Sequence, residues 1–181
     1  MILLVIDTQV GITDSRLYGF EALRANIKAL IAQARESGVE VVYVRHDDGP
    51  GTGFSVGDDE FQIYEEFAPQ AGEKIFDKTV NSALHPSVGL SKYLADKGEK
   101  ALMVVGLQTD FCIDATIKSG FDLGYEIIVP EHTNSTFDNP HLKQDTAYHF
   151  FNEYVWPNRY TRCVSMEEAA ELLRQQKNFK K

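Results

Sequence analysis

The feature that most constrains this fold is the opening run Ile2-Leu3-Leu4-Val5-Ile6, apolar at every position and followed at once by Asp7-Thr8-Gln9. A strand with one face in water alternates apolar and polar residues; a strand without alternation is buried on both faces, the signature of a parallel sheet covered by helices on both sides. The rest of the chain agrees with this. Phe20, Leu23, Ile27, Leu30, Ile31 and Ala34 follow the 3.6-residue period of a helix that Ser37-Gly38 closes. The next strand is expected at 39–44, and further strands at 73–77, 101–105, 126–129 and 160–164. Helices are expected at 88–97, 112–123, 142–151 and 166–173. The alternation predicts a three-layer α/β/α, Rossmann-like fold around a six-stranded, mainly parallel sheet.

With 181 residues, 43% of them hydrophobic and 25% charged, the chain fits a single domain over 1–181. Its formal net charge of -9 sets the overall field against nucleic acids and anionic membranes, and points to a small-molecule substrate. The apolar opening is far too short to span a bilayer, and it has neither a basic n-region nor a small-residue cleavage site. Cys112 and Cys163 show no metal-ligand spacing and do not make a disulfide framework. The expectation is a cytoplasmic protein with free thiols, and a basic tail after Arg174 that frays.

Open parallel sheets bind ligands beyond the carboxyl ends of their strands, where the strand order reverses. Asp7 directly follows the first strand, Lys78 follows the strand at 73–77, and Cys112 follows the strand at 101–105, so one edge gathers all three. A thiol opening a helix is favoured as thiolate by the helix dipole and by unpaired backbone N–H groups, which also suit an oxyanion. A lysine nearby lowers the thiol pKa further, and a carboxylate can take the thiol proton and hand it to a leaving amine. On local sequence alone, an ordinary core cysteine fits Cys112 equally well. Asp7 also suits a phosphatase of the haloacid-dehalogenase type, but that chemistry needs a second Asp two residues on, where Gln9 stands. A response-regulator receiver would be shorter and has no use for the turn at Cys112.

The blocks V-I-D-T-Q, Lys78, G-L-Q-T-D-F-C-I-D-A-T and G-Y-E-I-I-V-P-E-H-T-N-S-T-F-D resemble the isochorismatase-like cysteine hydrolases, from the first strand to about Asp138. The resemblance implies a catalytic triad at Asp7, Lys78 and Cys112. It also implies a non-proline cis peptide at Leu107-Gln108, with the Gln108 and Cys112 backbone N–H groups forming an oxyanion hole. The segment at 79–86 departs from the aromatic residue and Gly-Thr step that many relatives carry. Nicotinamidases of this family hold a metal through Asp-x-His-x-His after the second strand; here that region reads Arg45-His46-Asp47-Asp48-Gly49, and no metal or other cofactor is expected. True isochorismatases split a vinyl ether and dispense with the cysteine, so the resemblance implies an amide or related C–N bond, cleaved through a thioester. The alternative is a catalytically silent small-molecule-binding or interaction protein of the same fold, distinguished by an unreactive Cys112.

The glycine-rich stretch at 47–57 lacks the Gly-Lys-Ser/Thr of a phosphate loop and reads as a lid. Gln9, His46, Phe54 and Phe111 are the candidate pocket residues, with Tyr64 and Phe67 as further apolar walls, although each also fits ordinary packing. Asp110 is expected to cap the helix at Cys112, Asp114 to suit its dipole, and Cys163 to be inert core. The family resemblance implies a homodimer or homotetramer, for which Phe150, Phe151, Tyr154 and Trp156 are either interface or core.

Overall fold

The computed structural model describes residues 1–157 and 159–176. Strand β1 (Ile2–Ile6) is buried at every position. It is followed by α1 (Phe20–Glu36), β2 (Glu40–His46), β3 (Lys74–Lys78), α2 (Leu90–Asp96), β4 (Ala101–Leu107), α3 (Asp114–Asp122) and β5 (Glu126–Pro130). A two-residue strand β6 (Asn134–Ser135), helix α4 (Gln144–His149), β7 (Arg162–Val164) and α5 (Met166–Gln176) complete the described chain. The fraying expected after Arg174 falls, from residue 177 on, outside the described residues.

The strands run in the order β3-β2-β1-β4-β5-β7, with β6 beside β4, and every pairing is parallel. Alternate side chains of β1 explain the three layers. Leu3 and Val5 pack with Leu23, Ile27 and Leu30 of α1 and with Ala169 and Leu173 of α5. Ile2, Leu4 and Ile6 pack on the other side with Leu90 and Leu94 of α2 and Ile117 of α3. Fully burying one such side chain contributes ~1.5–3 kcal/mol, which is why the unbroken apolar run specifies its two helical covers. The order reverses between β1 and β4, and the crevice above their carboxyl ends is where a ligand site is expected.

Among the described residues the sheet has seven strands rather than the expected six. The extra one, β6, pairs with Gly106 and Leu107 at the end of β4, beyond the stretch of β4 that pairs with β5. Its residues are polar and buried, so it carries no apolar pattern to announce it. The interface-or-core quartet divides: Trp156 is fully buried and Phe151 packs against the core, while Phe150 and Tyr154 are exposed.

Candidate active site

Asp7 sits one residue past β1, where its backbone N–H still bonds Val44 O at 2.9 Å, in a left-handed conformation (φ 50) that a non-glycine residue adopts at a cost of ~1 kcal/mol or more. Lys78 closes β3, with its carbonyl accepting from Asp47 N at 2.8 Å. Cys112 lies after β4, past a cis Leu107-Gln108 peptide. Sequence reasoning had the helix begin at Cys112. Instead Thr109–Ile113 forms a five-residue π-helical turn, and α3 starts only at Asp114. Such single wide turns concentrate at functional sites because they re-aim side chains without ending the helix.

The three ends meet around one atom. Lys78 Nζ lies 2.7 Å from Asp7 Oδ2, 2.9 Å from His46 Nδ1 and 3.2 Å from Cys112 Sγ. An ammonium has three protons to donate and no lone pair, so these contacts use its full capacity. Nδ1 of His46 must then be the accepting nitrogen, which leaves Nε2 to donate to Asp48 Oδ1 at 3.1 Å. Asp7 and Lys78 are almost wholly buried, while Asp7 Oδ1 is buried and has no hydrogen-bond partner. That oxygen is the open acceptor nearest in kind to what a thiol proton needs.

Burial raises the Asp7 carboxyl above its usual range, with Lys78 opposing that rise. Burial, together with the Asp7 charge, also pushes the Cys112 thiol up to about 12, against the pull of Lys78. Desolvation thus outweighs the lysine and favours the thiol form beside the Asp7 carboxyl, against the expectation of a thiolate. Cys163 is also free, and burial raises its thiol to about 11.

Asp7, His46 and Cys112 each offer a donor atom, all within 4.8 Å of one another, which is a metal-like set. A metal does not fit it, because the Lys78 ammonium already stands at bonding distance from all three donors and supplies the positive charge there.

Cys112 and Asp7 face a cavity of about 410 Å³, walled by His46, Asp48, Phe54, Phe111 and Gln108 among others. His46, Phe54 and Phe111 thus stand where sequence reasoning placed them, but Gln9 does not. Its amide donates to His46 O at 3.0 Å and to Phe61 O at 3.1 Å and accepts from His46 N at 2.7 Å, so this buried side chain braces the wall from behind. Phe67 belongs to the core cluster under α1, and the partly buried Tyr64 packs against it. Asp110, expected to cap a helix, instead accepts from Thr136 Oγ1 at 2.6 Å.

Two features were missed. Thr109 Oγ1 donates to Asn134 Oδ1 at 2.7 Å, and Asn134 Nδ2 donates to Asn152 Oδ1 at 2.9 Å, so a buried polar chain from β6 fixes the turn that carries Cys112. Gly11 is the other: a Cβ there would lie 3.1 Å from the Phe54 ring and 2.9 Å from Glu60 Cβ, so its bareness lets Phe54 lie against the loop after β1. No apolar pattern announces the first, because the T-N-S-T string is polar throughout although it holds β6.

An open parallel sheet with Asp7, Lys78 and Cys112 gathered beyond the ends of its strands has the layout of an α/β enzyme. Comparison with known proteins places it more narrowly: the isochorismatase domain family matches residues 1–157, and the chain belongs to that family of hydrolases. It is 28% identical over 146 residues to a secreted isochorismatase effector of Verticillium dahliae, covering 77% of this chain and 74% of that one. It is 27% identical to a streptothricin hydrolase of Streptomyces noursei, covering 76% of this chain but only 50% of that protein. It is 23% identical to a ureidoacrylate amidohydrolase of Rhizobium rhizogenes, covering 89% of this chain and 77% of that one. A crystal structure of an isochorismatase family protein superposes with a TM-score of 0.83 at 30% identity, covering 91% of this chain and 97% of that one. Among the described residues, no helix is long and apolar enough to cross a membrane.

Proposed function

We propose that the protein hydrolyses an amide or related C–N bond of a small molecule, with Cys112 as nucleophile, Asp7 as proton shuttle and Lys78 as the fixed positive charge. The observation that carries this reading is the convergence of Asp7, His46 and Cys112 on Lys78 Nζ at the floor of a cavity. As Cys112 Sγ attacks the carbonyl carbon, its proton passes to Asp7, and the carbonyl electrons move onto oxygen. The backbone N–H groups of Gln108 and Cys112 receive that oxyanion. Collapse of the intermediate breaks the C–N bond, Asp7 returns the proton to the leaving nitrogen, and a thioester remains. Water then attacks while Asp7 takes its proton; collapse releases the carboxylic acid, and Asp7 re-protonates the sulfur. A carboxyl raised by burial suits a group that must both accept and return a proton.

Relatives named as hydrolase and amidohydrolase support the bond class. A homodimer or homotetramer in a cytoplasmic setting is part of the same proposal, and light scattering after gel filtration checks the assembly. The enzymatic test is a panel of small primary and substituted amides assayed for released ammonia or amine. The expected result is turnover that Cys112→Ala abolishes, with a hydroxylamine-sensitive acyl adduct on the Cys112 peptide of the wild type. Turnover unaffected by Cys112→Ala would contradict the reading.

A further inference from the structure

Resting on that reading, the wall of the cavity indicates which amides the site takes. Two aromatic rings, Phe54 and Phe111, face it, and Phe111 is 54% exposed although it stands beside the nucleophile. A large apolar ring left open to solvent at a cavity mouth is free to cover a ligand. The Asp48 carboxylate shares the wall with them. One of its oxygens is held by His46 Nε2 at 3.1 Å, and its side chain remains 55% exposed. The loop that carries it is ordered by its own bonds, from Asp48 N to Phe54 O at 3.0 Å and from Ser55 Oγ to Asp47 Oδ1 at 2.6 Å.

The positive charges behind the wall are already committed. Lys78 spends all three donors on Asp7, His46 and Cys112, and Arg45 at the end of β2 is held by Asp77 at 2.8 Å and lies over the Phe61 ring. No arginine or lysine is among the described residues that line the cavity. A substrate carboxylate or phosphate entering here would meet Asp48 and Asp7 with no cation free to receive it. A substrate ammonium or guanidinium would meet a carboxylate and two aromatic faces, the combination that attracts organic cations.

We propose that the site selects amides carrying a positively charged amine or guanidine group near the scissile carbonyl, with Asp48 as the specificity-determining carboxylate and Phe54 and Phe111 as its aromatic flanks. The cation sits at the cavity mouth, and the carbonyl reaches inward to Cys112.

The test needs no knowledge of the natural substrate. Matched methanethiosulfonates carrying an aminoethyl, a methyl or a sulfonatoethyl group each form a mixed disulfide with a thiol and release methanesulfinate. Their rates on Cys112 and Cys163 are read separately by peptide mass spectrometry and normalised to free cysteine. The expected result is that the aminoethyl reagent outpaces the sulfonatoethyl reagent at Cys112 by about tenfold or more. Asp48→Asn should cut that preference at least threefold, and Asp48→Lys should reverse it. Glu171→Gln, which removes one negative charge from the surface of α5, should leave the preference in place and so separates the local carboxylate from the overall charge. Labelling of Cys112 by the neutral reagent with no preference for the cationic one would overturn the specificity while leaving the nucleophile standing. Failure of all three reagents on folded protein whose denatured form labels normally would remove the nucleophile and the specificity with it.

Discussion

The floor and the outer wall of the cavity are held by different means. On the floor, Asp7, Lys78 and Cys112 stand at or just past the ends of β1, β3 and β4, whose registers are fixed by paired neighbours: Ile6 lies opposite Val44 and Gly106, and His46 lies opposite Lys78. A shift of one residue in any of these strands would turn buried side chains toward the wrong layer, so the three functional groups inherit their positions from the core. On the outer wall, Asp48 and Phe54 hang from a loop between β2 and β3 that is closed by a few local hydrogen bonds and rests on Gly11. On the proposed reading, chemistry is placed by the sheet, and selectivity by a loop that can change without disturbing it.

Substitutions that break this contrast should differ in kind as well as in size. On the floor, Cys112→Ala should lower turnover by ~10³-fold or more while leaving the fold intact, because it removes a small side chain and no buried charge; steady-state rates and a thermal melt check both halves. Gly106→Ala attacks the frame itself. Its φ of +123 is already a glycine conformation, and a Cβ there would fall 2.0 Å from Ile6 O, inside the β1–β4 pairing. The expected cost is ~3 kcal/mol or more of stability, measured by urea unfolding, with activity lost in proportion to unfolded protein. On the wall, Gly11→Ala should displace Phe54 and raise KM about threefold, with ~1–2 kcal/mol lost from stability because Glu60 Cβ at 2.9 Å must also shift, still less than for Gly106→Ala, whose Cβ meets backbone. A Gly11→Ala protein as unstable as Gly106→Ala would erase the distinction.

Acidification sharpens the same comparison from the floor's side. Because burial raises Asp7, protonation removes the base at a higher pH than an ordinary aspartate would allow, so the acid limb of kcat/KM should lie above the usual carboxylate range. The linked effect on stability has the opposite sense. A carboxyl that binds its proton more readily folded than unfolded favours the fold most below the ordinary value of 3.8, and that contribution is lost as pH rises through the raised one. Activity and the Asp7 part of stability should therefore move in opposite directions across this window.

What could be read in the sequence follows the same division. The unbroken apolar run of β1, the helical period of α1 and the placement of Asp7, Lys78 and Cys112 at strand ends all rest on burial patterns that one residue type after another repeats. The pocket was half legible: His46, Phe54 and Phe111 line it, but Gln9 turned its amide to the backbone, because a buried amide must satisfy its own donors and acceptors first. Asp48 was passed over since nothing in a single aspartate within a loop says which way it faces. Strand β6 was invisible because its buried residues are polar and are held by one another, as in the Thr109, Asn134 and Asn152 chain. The state of Cys112 was misjudged for a related reason: a neighbouring lysine can be inferred from the strand ends, whereas the desolvation that outweighs it depends on packing from every side.

Whether Asp7 takes a proton from a resting Cys112 thiol is tested most directly by the pH dependence of Cys112 alkylation by iodoacetamide in the wild type and in Asp7→Asn. The wild-type rate should climb toward a titration near 12, removing the Asp7 charge should move it to lower pH and quicken labelling at neutral pH, and the same variant should lose hydrolysis ~10³-fold despite its more reactive sulfur. A wild-type thiol that titrates at or below the ordinary cysteine value, unmoved by Asp7→Asn, would contradict that proton transfer.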